Sequence, residues 1–195
     1  MSKKSKIGLY FGSFNPIHIG HLIIANYVVE FTGLKEIWFV VSPQNPLKDK
    51  TSLLSDYHRL ALVNVAVEDD SRFKSCDIEF KLPQPSFTIN TLTYLREKYP
   101  QKEFSLIMGA DNLESLNKWK NYEQILEYYS IYVYPRPGTD GGIFKNHPNV
   151  TWVIAPLIEI SSSFIRKAIK EKKDICYFLP PKVNSYIREM HFYEK

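Results

Sequence analysis

Residues 12–21 constrain the fold more than any other part of this 195-residue chain. They follow the apolar run at residues 7–11 and precede a second apolar run that begins at Leu22, a pattern that predicts a strand, a tight loop and a helix. Gly12 lets the backbone approach a ligand closely, and Pro16 interrupts the hydrogen-bond ladder and favours a turn. The stretch therefore predicts a ligand-binding loop between a strand and a helix.

Two histidines lie at the predicted start of that helix. His18 and His21 are three residues apart, so on a helix that begins near Ile17 or His18 both imidazoles project from one face. Unpaired backbone N–H groups and the helix dipole favour an anion there, which predicts a phosphate site. A histidine pair could also be half of a zinc site, but zinc needs a third ligand. The remaining histidines offer no tight cluster with the pair: His58, His147 and His191.

Strands and helices alternate along the whole chain. The first helix is predicted to extend to about Phe31, and because it is apolar on nearly every side it is predicted to be buried. Residues 36–41 then read as a second buried strand. The order strand, helix, strand predicts a parallel crossover. Further strands are predicted at residues 72–80, 103–108, 130–134 and 150–155. The helices are predicted from Ser55 to about Glu68 with Leu60, Val63 and Val67 on one stripe, from Phe87 or Thr88, over 122–129, from about 160, and from Pro180 to about Met190.

This pattern predicts an α/β fold: one doubly wound, mostly parallel sheet with helices on both faces. The length fits a single domain over residues 1–195, with a terminal helical segment from about residue 160 packed on it. In such sheets ligands bind beyond the carboxyl ends of the strands. Lys48, Gly109 and Asp111 all follow predicted strands and are therefore ligand candidates, although Lys48 could equally be an exposed lysine on a loop.

A second anion-binding candidate lies near the end of the chain. Residues 161–163 are three serines at a predicted helix start, and serine side chains cap the first backbone N–H groups. Arg166 follows one turn later, where its guanidinium can face an anion. The chain has neither the Gly-x-Gly-x-x-Gly dinucleotide fingerprint nor a Gly-Lys-Ser/Thr phosphate loop. Phosphate binding is therefore predicted to rest on the two histidines and on this serine–arginine helix start.

Composition limits the class of protein. The chain is 44% hydrophobic and 24% charged, and no apolar run approaches the ~20 residues that span a bilayer. The basic start has no secretory pattern behind it, so a cytoplasmic protein without membrane partners is expected. Its 25 basic and 21 acidic residues give a net charge of +4, which suits a small anionic ligand and does not require nucleic acid. Cys76 and Cys176 are predicted to be reduced thiols.

Five motifs together resemble the nicotinate-nucleotide adenylyltransferase family of the nucleotidyltransferase superfamily that carries a His-Ile-Gly-His sequence. The resemblance runs almost end to end, and the motifs occur in the family's order: residues 12–21, 85–92, 107–113 with Trp119, 136–138 and 160–166. It implies a Rossmann-like nucleotidyltransferase that joins ATP to nicotinate mononucleotide and releases pyrophosphate. Mg²⁺ would accompany the ATP, with few or no protein ligands.

The resemblance also implies site residues. His18, His21 and Arg166 would be catalytic, with the histidines acting as hydrogen-bond donors to the transferring phosphate. Thr88 and Trp119 would bind the pyridine of nicotinate mononucleotide, and no residue is assigned to a protein-held metal. The positions implied for ATP are Gly12, Ser13, Phe14, Lys48, Gly109, Asp111, Arg136, Ser161 and Ser162.

Three positions depart from the family pattern. Asn15 and Asn90 stand where an aspartate is more frequent, and Leu47 stands where a histidine is common. Related alternatives are an acceptor such as nicotinamide mononucleotide or phosphopantetheine, or a cytidylyltransferase. Alternatives from other classes are a non-catalytic nucleotide sensor or a nucleic-acid-binding module. The sequence leaves the acid-versus-amide preference and a possible homo-oligomer open.

Overall fold

A computed structural model describes residues 4–43 and 53–194. Within these residues six parallel strands form one sheet in the order β3-β2-β1-β4-β5-β6. The strands are Ser5–Gly12 (β1), Glu36–Val41 (β2), Phe73–Cys76 (β3), Lys102–Gly109 (β4), Ile131–Tyr134 (β5) and Val150–Trp152 (β6). The helices are Ile19–Phe31 (α1), Asp56–Val67 (α2), Thr88–Lys98 (α3), Ala110–Glu114 (α4), Tyr122–Tyr128 (α5), Ser162–Lys170 (α6) and Pro181–Glu189 (α7).

The sheet separates two hydrophobic layers. Because successive side chains of a strand point to opposite faces of the sheet, each strand contributes residues to both layers. In β2, Ile37 and Phe39 belong to one layer and Trp38 and Val40 to the other. The first layer packs against α1, α2, α6 and α7, and the second against α3, α4 and α5. The predicted α/β fold, with a parallel sheet covered on both faces, is confirmed.

Three predicted elements differ from the structure. The strand predicted over 72–80 ends at Cys76 because the chain turns into a short 3₁₀ helix, Ile78–Lys81. The last strand ends at Trp152 instead of residue 155; it is an edge strand and pairs only with β5. Helix α1 is not buried on every side: Phe31, at its end, is 70% exposed and stacks on Tyr27 instead of the sheet.

Helix α2 begins as predicted, because the Ser55 hydroxyl accepts a hydrogen bond from the backbone N–H of His58. Its buried face differs from the predicted stripe. Val63 and Val67 are buried as expected, but Leu60 is half-buried and the buried set instead includes Arg59. The reason is that the Arg59 side chain finds polar partners inside the protein.

Candidate active site

The carboxyl ends of the central strands form the site. Strands β1 and β4 are neighbours, and strand order reverses between them. Helix α1, which follows β1, packs in one hydrophobic layer, and α4, which follows β4, packs in the other. The two connections therefore leave on opposite faces of the sheet and open a crevice at this topological switch point, where doubly wound proteins bind ligands.

His18 and His21 lie at one side of this crevice. Helix α1 begins at Ile19 with His18 as its N-cap, one or two residues later than predicted. The two imidazoles stack with ring centroids 3.7 Å apart, and His21 Nδ1 accepts a hydrogen bond of 3.2 Å from the His18 backbone N–H. The Phe14 ring, which is 2% exposed, packs edge-on against His21.

These contacts decide which ring nitrogens can donate. Because His21 Nδ1 accepts, its proton resides on Nε2. His18 Nδ1 is buried with no hydrogen-bond partner among the described residues and faces Gly20, where an added Cβ would lie 3.0 Å away. Nε2 is therefore the nitrogen that His18 can offer to a ligand. Both histidines are arranged to donate from Nε2, and Gly20 is the residue that leaves space for the His18 ring.

Both histidines are neutral at physiological pH. Burial, and secondarily the nearby positive charge of Arg136, lower the pKa of His18 from 6.5 to about 4. The pKa of His21 lies well below its usual value because of burial, His18 and Arg136, in that order. A neutral imidazole with its proton on Nε2 is a hydrogen-bond donor that adds no charge to the site.

The low pKa of His18 predicts a pH-dependent stability. Below pH 6.5 the unfolded chain binds a proton at His18 while the folded chain stays neutral, so stability is lost as the pH falls towards about 4. The loss reaches about 1.4 kcal/mol per pH unit, or about 3 kcal/mol in total. Urea unfolding between pH 7.5 and 4.5 should show a steeper loss for the natural chain than for His18→Gln. Equal slopes for the two proteins would contradict the assignment.

Arg136 provides the positive charge beside the histidines. Its guanidinium lies over the Tyr134 ring, donates to the Tyr134 hydroxyl at 3.4 Å and has its Nε 3.8 Å from an Asp111 carboxylate oxygen. Tyr134 in turn accepts a hydrogen bond of 3.1 Å from the buried hydroxyl of Tyr10. A Cβ on Gly109 would lie 3.1 Å from Arg136 Cγ, so the absence of that atom lets the arginine cross the end of β4.

The serine–arginine motif near the end of the chain contacts the loop before α1. Ser161 is the N-cap of α6, with its hydroxyl accepting from the Phe164 N–H at 3.1 Å. Ser162 donates to the Pro16 carbonyl at 2.9 Å, and Arg166 donates to the Asn15 carbonyl at 2.8 Å. The structure thus brings together the two motifs that the sequence singles out, although they are separated by about 150 residues.

Asn15 departs from the family pattern, and its contacts explain why an amide is sufficient there. The side chain is 2% exposed, and its Oδ1 accepts hydrogen bonds from the Leu54 N–H at 3.2 Å and the Tyr193 hydroxyl at 2.8 Å. Both contacts need an oxygen acceptor, which asparagine and aspartate share. Asn90 is exposed on α3, and Leu47 and Lys48 lie outside the described residues.

A cavity of about 350 Å³ opens beside the carboxyl ends of β1 and β4. Its wall contains four of the predicted site residues: Gly12, Ser13, Thr88 and Trp119. Lys118 and Lys120 also line it, as does the apolar Phe87 at the N-cap of α3, which offers no side-chain acceptor to the helix. Nine other predicted site residues lie outside this cavity wall: Phe14, His18, His21, Gly109, Asp111, Arg136, Ser161, Ser162 and Arg166. The described site residues therefore divide into four that line the cavity and nine that do not.

Sequence reasoning missed two buried charged residues next to the site, Arg59 and Glu79. Arg59 is fully buried and donates to the Ser13 carbonyl at 2.6 Å. Glu79 is 2% exposed and lines the cavity. The position of Arg59 three and four residues before Leu62 and Val63 places it on the apolar face of α2, a pattern that could have revealed it. No local pattern marks Glu79.

Neither a metal centre nor a membrane span is found in the described part of the chain. Over residues 4–43 and 53–194 no three His, Cys, Asp or Glu side chains are grouped to hold a metal ion. Among the same residues no helix is both long and apolar enough to cross a bilayer.

The parallel sheet, with helices on both faces and the histidine pair at its switch point, is the Rossmann-like fold of nucleotidyltransferases. The family model described as cytidylyltransferase-like matches residues 9–168. Among solved structures, nicotinic acid mononucleotide adenylyltransferase of Plasmodium falciparum superposes with a TM-score of 0.79 over 97% of this chain and 98% of its own, at 22% identity. A second structure of the Plasmodium falciparum enzyme, in complex with APC, gives a TM-score of 0.75 over 97% of this chain and 98% of its own, at 22% identity. At these identities the likeness shows the fold.

Sequence relatives give the narrower family. The probable nicotinate-nucleotide adenylyltransferase of Flavobacterium psychrophilum is 60% identical over 97% of this chain and 100% of its own length. Its counterpart in Bacteroides thetaiotaomicron is 50% identical over 96% and 93%. The chain belongs to the cytidylyltransferase-like family and, within it, to the nicotinate-nucleotide adenylyltransferases, which are nucleotidyltransferase enzymes. The resemblance predicted from the five motifs is confirmed.

Proposed function

We propose that this chain transfers the adenylyl group of ATP to nicotinate mononucleotide, giving the deamido dinucleotide and pyrophosphate. The observation that carries the proposal is the pair of neutral histidines beside Arg136, next to a cavity lined by Thr88 and Trp119. The near full-length similarity to nicotinate-nucleotide adenylyltransferases supports it. The solved Plasmodium relative is a complex with NaAD, the product of this reaction.

The reaction is a displacement at phosphorus. A phosphate oxygen of nicotinate mononucleotide attacks the α-phosphorus of ATP, a new P–O bond forms, and the bond to the bridging oxygen breaks, so that pyrophosphate leaves. The attacking phosphate is already an anion, so the step needs neither a protein nucleophile nor a general base. The protein contributes by positioning the two phosphates and by stabilising the charge on the transferring group.

The charged and donor groups fit those tasks. His18 and His21 donate from Nε2 to the transferring phosphate, and Arg136 adds a positive charge beside them. Arg166 and Ser162, which also hold the loop before α1, place the start of α6 next to the triphosphate. Gly109 and Asp111 face the adenosine, with Ser13 and the Gly12 and Phe14 backbone between the nucleotides. Lys48, outside the described residues, remains a proposed phosphate ligand, and Mg²⁺ enters bound to ATP.

The cavity fits the pyridine nucleotide. Trp119 provides an aromatic face for the ring, while Lys118 and Lys120 give the wall positive charge that favours an anionic acceptor. The start of α3 at Thr88 lies in the same wall, and the first N–H groups of a helix favour an anion such as a carboxylate. These features favour nicotinate mononucleotide over its amide.

Replacing Trp119 tests the acceptor assignment. Trp119→Ala should raise the KM for nicotinate mononucleotide by about 10- to 100-fold, as loss of aromatic stacking typically does, and leave the KM for ATP within twofold. Trp152→Ala is the matched control, because Trp152 lies on β6 and not in the cavity wall. Pyrophosphate release should be measured for both variants and for the natural chain.

The same assay tests the reaction itself. The natural chain should turn over ATP with nicotinate mononucleotide at a higher kcat/KM than with nicotinamide mononucleotide, and should not use phosphopantetheine. Turnover with phosphopantetheine but not with nicotinate mononucleotide would refute the proposed acceptor. Binding of ATP with no turnover of any acceptor would instead support a nucleotide sensor.

A further inference from the structure

The 3₁₀ helix that replaces the end of the predicted third strand places a carboxylate in the wall of the cavity. Glu79 lies in this turn, and its side chain is 2% exposed although no Lys or Arg within the described residues forms an ion pair with it. A buried carboxylate is costly unless hydrogen bonds satisfy its oxygens. The neutral hydroxyl group of Thr91 donates such a hydrogen bond to Glu79.

Hydroxyl groups from three separate parts of the fold lie close to the Glu79 carboxylate. The Thr91 hydroxyl, on α3, donates to Glu79 Oε1 at 2.9 Å. The Ser42 and Ser86 side chains, from the residue after β2 and the segment before α3 respectively, lie close enough to favour the charged form of Glu79. Burial raises the pKa of Glu79, and these three side chains act against that rise. The Thr91 hydrogen bond therefore links the 3₁₀ helix to α3, and the carboxylate also faces the end of β2 and the segment before α3.

The backbone around Glu79 is tied to the same segment. The Gln84 side chain donates to the Glu79 carbonyl at 2.8 Å, and its oxygen accepts from the Ser86 N–H at 3.3 Å. Ser42, Glu79, Ser86 and Thr88 all line the cavity. Because Thr88 comes two residues after Ser86, the position of the α3 start depends on the contacts of Glu79.

We propose that Glu79 is a positioning residue for the acceptor nucleotide, holding the end of β2 and the start of α3 at the spacing that fits the pyridine ring. This inference rests on the proposed function, because it assigns the cavity to the acceptor. Glu79 does not act on the transferring phosphate. It fixes the wall that carries Thr88, while the histidines lie outside that wall.

The test compares the two substrates. Glu79→Ala should raise the KM for nicotinate mononucleotide about tenfold or more and leave the KM for ATP within twofold, because a misplaced wall affects only the acceptor. Glu79→Gln keeps one oxygen acceptor and should recover most of the loss. Thr91→Val, which removes the hydroxyl that donates to Glu79 at 2.9 Å, should give a smaller rise in the same KM. Thermal unfolding of each variant records the accompanying loss of stability.

Glu36→Gln is the matched control. Glu36 also accepts side-chain hydrogen bonds, from Trp38 and Lys74, but it begins β2 at the opposite end of the sheet. The Glu36→Gln variant should therefore leave the KM values for ATP and for nicotinate mononucleotide unchanged. If Glu79→Ala does not fold, Thr91→Val and Glu79→Gln decide the question. Equal rises in the two KM values, or an unchanged acceptor KM in Thr91→Val, would refute the positioning role. Failure of the proposed function would appear separately, as absent turnover in the natural chain.

Discussion

His18→Ala is expected to lower kcat by about a hundredfold or more while changing the KM values little. Removal of a preorganised donor that acts on developing charge typically has this effect. In this chain the donor is well defined: His18 Nδ1 faces Gly20, Nε2 is available to the phosphate, and the low pKa keeps the ring neutral. The measurement is pyrophosphate release at saturating ATP and nicotinate mononucleotide, at pH 7.5.

Two further variants make this result specific. His18→Gln retains an N–H donor on a side chain that can reach the same region, so it should recover part of the activity. His191→Ala removes an exposed histidine that pairs only with Glu194 in the described residues, and it should keep the natural kcat. An unchanged kcat in His18→Ala would refute the donor role. A large rise in KM with the same kcat would assign His18 to substrate binding.

Local patterns in the sequence were sufficient for most of the fold. Strand β2 is observed over the predicted residues 36–41, because five consecutive residues of high strand propensity, 37–41, follow a helix stop at Thr32 and Gly33. Helix α2 begins where Ser55 caps it. Such elements depend on contacts between residues a few positions apart, and these contacts are visible in a single sequence.

The errors come from contacts between distant residues. The strand predicted to continue to Phe80 ends earlier, and Glu79 instead lies in a 3₁₀ turn where its carboxylate accepts a hydrogen bond from Thr91. The contact between Asn15 and Tyr193 joins residues 178 positions apart. No periodicity in the sequence encodes these pairings. The residues that hold the site in place therefore could not be predicted from the sequence, although its hydrogen-bond donors could.

Arg59 is the most important of these supports, and its loss should destabilise the protein more than any other single change considered. Its side chain is fully buried, and its nitrogens donate to four carbonyls and one carboxylate. The carbonyls belong to Ser13, Ser42, Pro43 and Leu54, at 2.6, 2.8, 3.0 and 3.1 Å. The arginine thus joins the loop after β1 to the segment after β2 and the approach to α2.

Arg59→Met should lower the free energy of unfolding by about 3–5 kcal/mol, because an apolar side chain of similar length leaves these buried carbonyls without donors. For a chain of this size that corresponds to a Tm lower by roughly 10 °C or more. Arg59→Lys should recover only part of the loss, since one ammonium cannot reproduce the planar fork of five donors. Urea unfolding measures all three proteins.

Arg72→Met is the matched control for this prediction. The Arg72 side chain is 37% exposed and pairs with Asp70 and Glu30 at the surface, so its removal should cost less than about 1 kcal/mol. Equal urea midpoints for Arg59→Met and Arg72→Met would show that the buried contacts contribute no more than surface pairs. If instead Arg59→Met is strongly destabilised and, while still folded, also loses kcat, the same hydrogen bonds that stabilise the fold also hold Ser13 and the loop leading to His18 in their active positions.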